Sequence, residues 1–192
     1  MPTAMSSTAI DSTDSGLTSD VVIGIPAYNE ADTVGDVVRA ARASAVDVLV
    51  VDDGSDDRTA AAAAEAGATV LQHDENCGYG AALGTLFTTA HETAVDHLVV
   101  IDADGQHDPS DALDLVDAQR SSDADIVIGS RFADSSDRDL PIYRRFGIEV
   151  VNTLTNLSMG VIRPKSWVRD TQSGFRTYNR RAIENLSEDQ TI

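Results

Sequence analysis

The chain has 192 residues, 42% of them hydrophobic, and carries a formal net charge of −18 with a pI near 4.3. This length is typical of one domain and is sufficient for a sizeable core. The acidic charge excludes nucleic-acid binding driven by phosphate contacts. Cys77 is the single cysteine, so an internal disulfide is excluded and a reducing, cytoplasmic compartment is expected.

The composition also bears on the surroundings of the protein. No apolar run approaches the length of a membrane span, and residues 1–20, rich in Ser, Thr and Asp, are expected to form a disordered tail without a signal core. Lys165 is the single lysine, whereas aspartates occur in nearly every polar segment. This pattern indicates a halophilic, archaeal-like protein whose self-repulsion is screened by salt. Equal stability in low and molar salt would contradict that interpretation.

Strands and helices alternate through the first two thirds of the sequence. Apolar segments predict five strands: Val21–Pro26, Val46–Val51, Ala68–Gln72, Leu98–Ile101 and Ala124–Gly129. The segments between them predict helices over about Ala31–Ser44, an alanine-rich stretch to about Ala66, Ala81–Thr93 and Pro109–Arg120. Such alternation predicts an α/β fold with a Rossmann-like, doubly wound, mostly parallel sheet and right-handed crossovers.

The pattern changes after Phe132. We expect a polar loop over Ala133–Asp139, a helix over Tyr143–Gly160, an extended segment over Trp167–Thr177 and a short last helix over Arg180–Leu186. There is no internal repeat and no sign of a second domain.

Two aspartates follow the strand Leu98–Ile101 directly, in the sequence Asp102-Ala103-Asp104-Gly105. Alternate residues of an extended segment point the same way, so both carboxylates can face one point in space. A hard divalent cation such as Mg²⁺ would relieve their repulsion. The alternative is an Asp-rich turn at a strand end. The two aspartates lie at the carboxyl end of a parallel strand, where open α/β sheets bind ligands, and this position favours the cation site.

Two other strands end in polar clusters, Pro26–Glu30 and Asp52–Ser55. In a parallel sheet all three strand ends lie at one edge and can line one crevice. Neither a Walker phosphate loop nor a G-x-G-x-x-G motif after the first strand is present. An acidic side chain at the second strand end can accept hydrogen bonds from a ribose or base, although a helix cap and turn is the alternative for Asp52 and Asp53.

Five motifs together resemble family 2 glycosyltransferases of the GT-A fold, close to dolichyl-phosphate mannose synthase and related polyprenyl-phosphate sugar transferases. They occur in the family's order and are Ile25–Glu30, Val51–Ser55, Asp102–His107, Gly129–Arg131 and Ser173–Arg176. The resemblance covers Val21 to about Leu186, and the domain is expected over residues 21–192. Family members usually continue with further helices and a basic segment, so the C-terminal part of the family domain is expected to be missing.

The resemblance implies where a sugar donor binds. The positions implied to contact the nucleotide sugar, UDP-glucose or GDP-mannose, are Pro26, Tyr28, Glu30, Val51, Asp53, Asp102, Ala103 and Asp104. It also implies that Asp102, Asp104 and Gln106 bind Mg²⁺ or Mn²⁺ and the donor diphosphate. A metal there would stabilise the charge that the leaving diphosphate gains. His107 is interpreted as a solvated turn residue.

The acceptor implied by the resemblance is dolichyl or another polyprenyl phosphate at the cytoplasmic face of a membrane, in a pathway of protein glycosylation. Arg131, Arg144 and Arg145 match positions that contact the lipid phosphate, and salt bridges to aspartates are the alternative. Arg131 and Asp170 are the predicted catalytic residues, with direct inverting transfer. Other interpretations are a soluble glycan or small-molecule acceptor, or a nucleotide-sugar-binding module without catalysis.

Overall fold

The computed structural model describes residue 17 and residues 19–44, 46–129 and 174–188. Within them lie six strands and five helices: β1 (Val21–Ala27), α1 (Val34–Arg42), β2 (Asp47–Asp52), α2 (Thr59–Glu65), β3 (Thr69–Gln72), α3 (Tyr79–Glu92), β4 (His97–Val100), α4 (Ala112–Ser122), β5 (Ile126–Ile128), β6 (Arg176–Asn179) and α5 (Arg180–Glu188). A 3₁₀ turn over Pro109–Asp111 precedes α4. None of the helices in the described ranges has the length and apolar composition to cross a membrane.

The strands form one sheet in the order β3-β2-β1-β4-β6-β5. The pairs β1–β2, β1–β4 and β2–β3 are parallel, which confirms the predicted mostly parallel α/β architecture. Strand β6 is antiparallel to both β4 and β5 and lies between them. The sequence predicts extended structure near β6 but not its insertion, because strand periodicity carries no information about the neighbouring strand.

The central strands β1 and β2 are buried on both faces, which is why the segments Val21–Ala27 and Val48–Val51 contain no charged or polar side chain. Successive residues alternate between two core clusters: Ile23 and Val50 pack on one face, and Val22 and Leu49 on the other. All four have 0% exposure. Parallel strands covered on both faces have continuous aliphatic sequences for this reason.

Strand β1 continues through Pro26 to Ala27, one residue beyond the predicted strand Val21–Pro26. The carbonyl of Gly24 accepts a hydrogen bond from Ile101, so Gly24 faces β4. Pro26, two residues later, presents its missing N–H to the same side, beyond the last β1–β4 pair at Gly24 and Val100. A proline is tolerated where no ladder bond is lost.

The residues just before β1 pack against the domain, although they fall in the expected disordered tail. Leu17 contacts the core cluster, the backbone N–H of Ser19 donates to Asp47, and the carbonyl of Asp20 accepts from His97. Residues 17, 19 and 20 therefore pack with the domain that was expected to begin at residue 21. The expected elements Ala133–Asp139 and Tyr143–Gly160 lie outside the described residues.

Candidate active site

The three polar strand ends lie side by side at one edge of the sheet. Pro26 pairs in register with Val51, and the backbone N–H of Asp53 donates to the carbonyl of Ala27 at 2.9 Å. On the other side of β1, Asp102 follows β4 two residues beyond the pair of Gly24 and Val100. The order β2-β1-β4 therefore gathers the positions predicted from three separate motifs.

The loop after β1 is fastened to the loop after β2 by backbone and side-chain hydrogen bonds. The N–H of Asn29 donates to Ser55 Oγ at 2.9 Å, and the N–H of Glu30 donates to Thr59 Oγ1 at 2.8 Å. Asn29 has a φ of 56°, a left-handed conformation that asparagine tolerates better than most residues. Tyr28 is left 42% exposed at this edge, available to a ligand.

Glu30 is another residue predicted to contact the nucleotide sugar, but its carboxylate forms a hydrogen bond within its own loop. It accepts a hydrogen bond from Thr33 Oγ1 at 2.8 Å, while the carbonyl of Glu30 accepts the N–H groups of Thr33 and Val34. Glu30 thus organises the entry to α1. This explains why α1 begins at Val34 rather than near Ala31.

Asp52 is fully buried and bonded within the protein. One oxygen accepts from the N–H and hydroxyl of Ser55, and the other accepts from Gln72 Nε2 at 2.9 Å. These contacts join the end of β2 to its own turn and to β3. Asp52 is therefore a structural carboxylate, in agreement with the turn alternative weighed for this motif.

Asp53 is 3% exposed and holds the loop that follows β3. Its Oδ1 lies 2.6 Å from His73 Nδ1 and 3.0 Å from the N–H of Cys77, and its Oδ2 accepts from the N–H of Gly78 at 2.7 Å. Burial alone raises the pKa of Asp53. The hydrogen bonds from His73, Cys77 and Gly78 outweigh burial and hold this pKa below its usual range.

Gly54 is required where the loop after β2 meets the loop after β3. Its φ is +69°, and a Cβ there would overlap the backbone of Glu75 and Asn76. The glycine of the Asp-Asp-Gly-Ser motif therefore serves close backbone approach as well as the turn.

Asp102 is half-buried and positioned by two residues from distant parts of the chain. Tyr79, at the start of α3, donates its hydroxyl to Asp102 Oδ1 at 3.1 Å. On the other side, a Cβ at Gly174 would overlap the Asp102 carboxylate, so a larger residue there would force this carboxylate to move. Partial burial, then the charge of Asp102 and the hydrogen bond to it, raise the pKa of the Tyr79 phenol.

The other predicted metal ligands are more open to solvent. Asp104 and Gln106 are exposed, and the N–H of Gln106 donates to Asp104 Oδ1 at 2.9 Å across Gly105, which has a φ of +71°. Ala103 between the aspartates is buried at 4% exposure and points into the core. His107, interpreted as a solvated turn residue, is instead half-buried, with its ring 5.2 Å from that of Phe175.

A cavity of about 200 Å³ opens beside Asp102. Its walls combine apolar side chains with a cation, a carboxylate and two phenols: Tyr79, Leu83, Val100, Asp102, Gly174, Arg176 and Tyr178. Strand β6 supplies part of this wall because it is inserted beside β4. The mixed lining suits a ligand with polar and apolar surface.

Some functional contacts were not predicted from the sequence. The sequence predicts no role for Tyr79 or His73, although the residues around Gly78 indicate a turn before a helix. Gly174 and Arg176 belong to a predicted motif, but the sequence does not indicate that they lie beside Asp102. Four other predicted residues lie outside the described residues: Arg131, Arg144, Arg145 and Asp170.

The donor atoms at the end of β4 fit Mg²⁺ or Mn²⁺. Asp102, Asp104 and Gln106 offer carboxylate and amide oxygens, the ligands that hard cations prefer. Asp104 and Gln106 are exposed, and Asp102 is oriented by Tyr79, so the group resembles an open site that keeps positions for substrate.

Comparison with known proteins identifies relatives over nearly the whole described region. The sequence pattern of Glycosyl transferase family 2 matches residues 22–187. A UDP-N-acetylglucosamine–dolichyl-phosphate N-acetylglucosaminyltransferase of Methanococcus voltae is 30% identical over 85% of this chain and 71% of its own length. A polyprenol monophosphomannose synthase of Mycolicibacterium smegmatis is 32% identical over 88% of this chain and 65% of its own length.

Solved structures with this fold include glucosyl-3-phosphoglycerate synthase of Mycobacterium tuberculosis in complex with Mn²⁺, UDP-glucose and phosphoglyceric acid. It superimposes with a TM-score of 0.62 at 20% identity, covering 88% of this chain and 64% of that protein. This similarity establishes the fold. The chain thus spans about two thirds of the length of these proteins.

Proposed function

Because the chain belongs to glycosyl transferase family 2, we propose that it transfers a hexose from a nucleotide sugar to a polyprenyl phosphate with inversion at the anomeric carbon. The observation that carries this proposal is the convergence of the ends of β2, β1 and β4 at one edge. That edge offers a buried acidic residue for a nucleotide and an open pair of carboxylates for a cation and a diphosphate.

The proposed nucleotide site lies at the ends of β1 and β2. Asp53, Pro26 and Val51 form its floor, and Tyr28 is exposed beside them. The two loops are fastened together by the bonds of Asn29 and Glu30, so this floor is held in one arrangement before the donor binds. Preorganisation of this kind lowers the cost of ordering the site on binding.

At the diphosphate end, Asp102, Asp104 and Gln106 would hold Mg²⁺ or Mn²⁺. When bound, such a cation stabilises the negative charge that develops on the leaving nucleoside diphosphate. Tyr79 and Gly174 fix the position of Asp102, and therefore the point at which the diphosphate is held. Ala103 keeps the segment between the two aspartates anchored in the core.

The acceptor is a lipid phosphate, whose second pKa near 6 makes it a nucleophile at neutral pH. Its oxygen forms the bond to the anomeric carbon while the bond to the diphosphate breaks. Arg131, Arg144 and Arg145 are proposed to hold this phosphate, and Asp170 to orient it or to stabilise positive charge on the sugar. The enzyme would work at the cytoplasmic membrane surface, and its product would serve protein glycosylation.

The acceptor assignment is tested with Arg131→Ala. One charge-assisted hydrogen bond to a phosphate contributes about 1.5–3 kcal/mol, so transfer to dolichyl phosphate should fall by roughly 10- to 150-fold. Donor binding and slow donor hydrolysis should remain at parental levels, and Arg131→Lys should restore transfer only partly. A panel of radiolabelled UDP- and GDP-sugars identifies the donor.

Parental transfer by Arg131→Ala would contradict a lipid-phosphate site that contains this residue. A soluble glycan or small-molecule acceptor would then be the better assignment. Donor binding without transfer to any acceptor would instead favour a nucleotide-sugar-binding module.

A further inference from the structure

Three side chains of different chemistry meet behind the nucleotide end of the site. Asp53, His73 and Cys77 each offer one ligand atom, and these atoms all lie within 4.8 Å of one another. Asp53 is buried, His73 is half-buried and Cys77 is exposed, so the group has a closed base and an open side. None of the three belongs to the predicted Mg²⁺ or Mn²⁺ ligands.

His73 is held through both of its ring nitrogens. Its Nδ1 lies 2.6 Å from Asp53 Oδ1, and its Nε2 lies 2.9 Å from Thr85 Oγ1. The Thr85 hydroxyl also lies 3.2 Å from the carbonyl of Ala81, so it can donate there and leave its oxygen to accept from an N–H at Nε2.

A metal ion bound at His73 Nδ1 would take the place of the proton that Nδ1 donates to Asp53, and the neutral imidazole would keep its proton on Nε2. Metal-bound histidines usually donate their other N–H to an oxygen that fixes the ring, and Thr85 has that place here.

The carboxylate and the thiol can both reach such an ion. The Asp53 carboxylate is anchored by the N–H groups of Cys77 and Gly78. Cys77 Sγ lies 3.4 Å from the carbonyl of Glu75, an exposed contact that a rotation about χ1 can release. Zinc ligands at bond lengths of about 2.0–2.3 Å lie roughly 3.3–3.6 Å apart, so a shift of about 1 Å suffices.

We propose that Asp53, His73 and Cys77 bind a divalent cation of the zinc class at a site distinct from the Mg²⁺ or Mn²⁺ site. A thiolate and an imidazole select borderline-soft ions, whereas Mg²⁺ prefers oxygen ligands. Two of the ligands, His73 and Cys77, lie four residues apart on one loop, a spacing that short zinc motifs use. Three protein ligands leave a fourth coordination position open.

A consequence of this site rests on the proposed function, because Asp53 is also the proposed contact of the nucleotide. Zinc bound to Asp53 would remove the acceptor that the nucleotide uses. The ion would therefore inhibit donor binding, while Mg²⁺ or Mn²⁺ at the other site supports it.

Titration of the reduced, metal-free protein with Co²⁺ tests the site. We expect a thiolate-to-cobalt charge-transfer band that saturates at one equivalent, is abolished by Zn²⁺ and is unaffected by excess Mg²⁺. The band reports on Cys77, the single cysteine. Cys77→Ser should lose the band but keep the fold, because the bond from residue 77 to Asp53 is made by the backbone.

Matched variants separate this site from its neighbours. Thr85→Val should weaken Co²⁺ binding roughly 10- to 100-fold, whereas Thr85→Ser, which keeps the hydroxyl, should bind as the parent does. Asp104→Ala should keep the band. Stoichiometric Zn²⁺ should weaken the binding of magnesium-saturated UDP or GDP at least about tenfold in the parent but not in Cys77→Ser, the size of effect that one lost charged contact produces.

A missing charge-transfer band, a band lost in Asp104→Ala, or parental Co²⁺ affinity in Thr85→Val would each overturn the zinc site. The cobalt titration contains no nucleotide, so its failure leaves the proposed sugar transfer untouched. Conversely, a protein that shows the band but transfers no sugar would contradict only the proposed function. If UDP and GDP bound equally well with and without Zn²⁺, the proposed inhibition of donor binding by zinc would be wrong.

Discussion

The strands on either side of β1 both end in carboxylates, but the two ends are built differently. At the end of β2, Asp52 and Asp53 are 0% and 3% exposed, and both oxygens of each accept hydrogen bonds from the protein. At the end of β4, Asp102 is half-buried and Asp104 is exposed. Carboxylates supplied with protein donors stabilise the fold, whereas carboxylates facing solvent can accept an external cation.

The two pairs of aspartates therefore have different roles. Asp52 is bonded to the turn after β2 and to β3, and Asp53 is bonded to the loop after β3, which holds the floor of the proposed nucleotide site in place. After β4, Tyr79 donates a hydrogen bond to Asp102 and Gly174 leaves room for its carboxylate, whereas Asp104 is exposed and accepts only a local bond from the N–H of Gln106 among the bonds described. Substitutions at the two strand ends should therefore have different effects on ligand binding and on stability.

The largest effect is expected for Asp104→Ala. If Asp104 is a ligand of Mg²⁺ or Mn²⁺, this change should abolish metal-dependent binding of the nucleotide sugar, measured by calorimetry, with little loss of thermal stability, because it relieves repulsion between carboxylates. Asp96→Ala is the control: it removes an exposed aspartate at the opposite end of β4 and should bind donor normally. Normal donor affinity of Asp104→Ala in Mn²⁺ would contradict the metal assignment.

Gly174→Ala should displace Asp102 and lower sugar transfer by at least about tenfold, with a stability cost of about 1–3 kcal/mol, because a methyl group there overlaps the carboxylate. Gly80→Ala is the matched control. A Cβ at Gly80, within α3, meets open space, so this variant should be about 0.5–1 kcal/mol more stable than the parent. Chemical denaturation measures the stability of both variants, and transfer assays measure their activity. If Gly174→Ala had the stability and activity of the parent, the position of Asp102 would not matter for either.

Asp53→Asn should lower the free energy of unfolding at neutral pH by about 1–3 kcal/mol, because a buried, hydrogen-bonded carboxylate is lost. The folded pKa of Asp53 lies below its ordinary value of 3.8, so its contribution is fully present above that pH and is lost as pH falls through the folded pKa. Denaturation of parent and variant should therefore converge in strong acid.

Asp104→Asn, at the exposed end, should change stability by less than about 0.5 kcal/mol at any pH. Equal stability losses in the two asparagine variants would remove the distinction between the strand ends. Free UDP and GDP should also bind Asp53→Asn more weakly without metal, as expected for a nucleotide contact.

The smallest effect is expected for Tyr79→Phe. The lost hydrogen bond to Asp102 is partly exposed, so the stability cost should be about 0.5–1 kcal/mol. A double-mutant cycle with Asp102→Asn isolates the coupling between the two side chains. Additive effects of the two changes would show that Tyr79 does not position Asp102.

The sequence by itself determined the alternation of strands and helices and the positions of the strand ends. Strands buried on both faces must be apolar throughout, so Val48–Val51 and Leu98–Val100 are recognisable without their partners. The motifs at their ends also indicated the family, which the match over residues 22–187 confirms. Local sequence suffices for these features because burial and turn chemistry act within a few residues.

Only the tertiary structure decided which side chains meet across the sheet edge. Asp102 contacts Tyr79 and Gly174, residues 23 and 72 positions away in the chain, and β6 reaches them by an antiparallel insertion beside β4. Asp53 likewise reaches the loop around Cys77. Contacts between distant segments depend on strand order and packing, and periodicity along one segment cannot encode them.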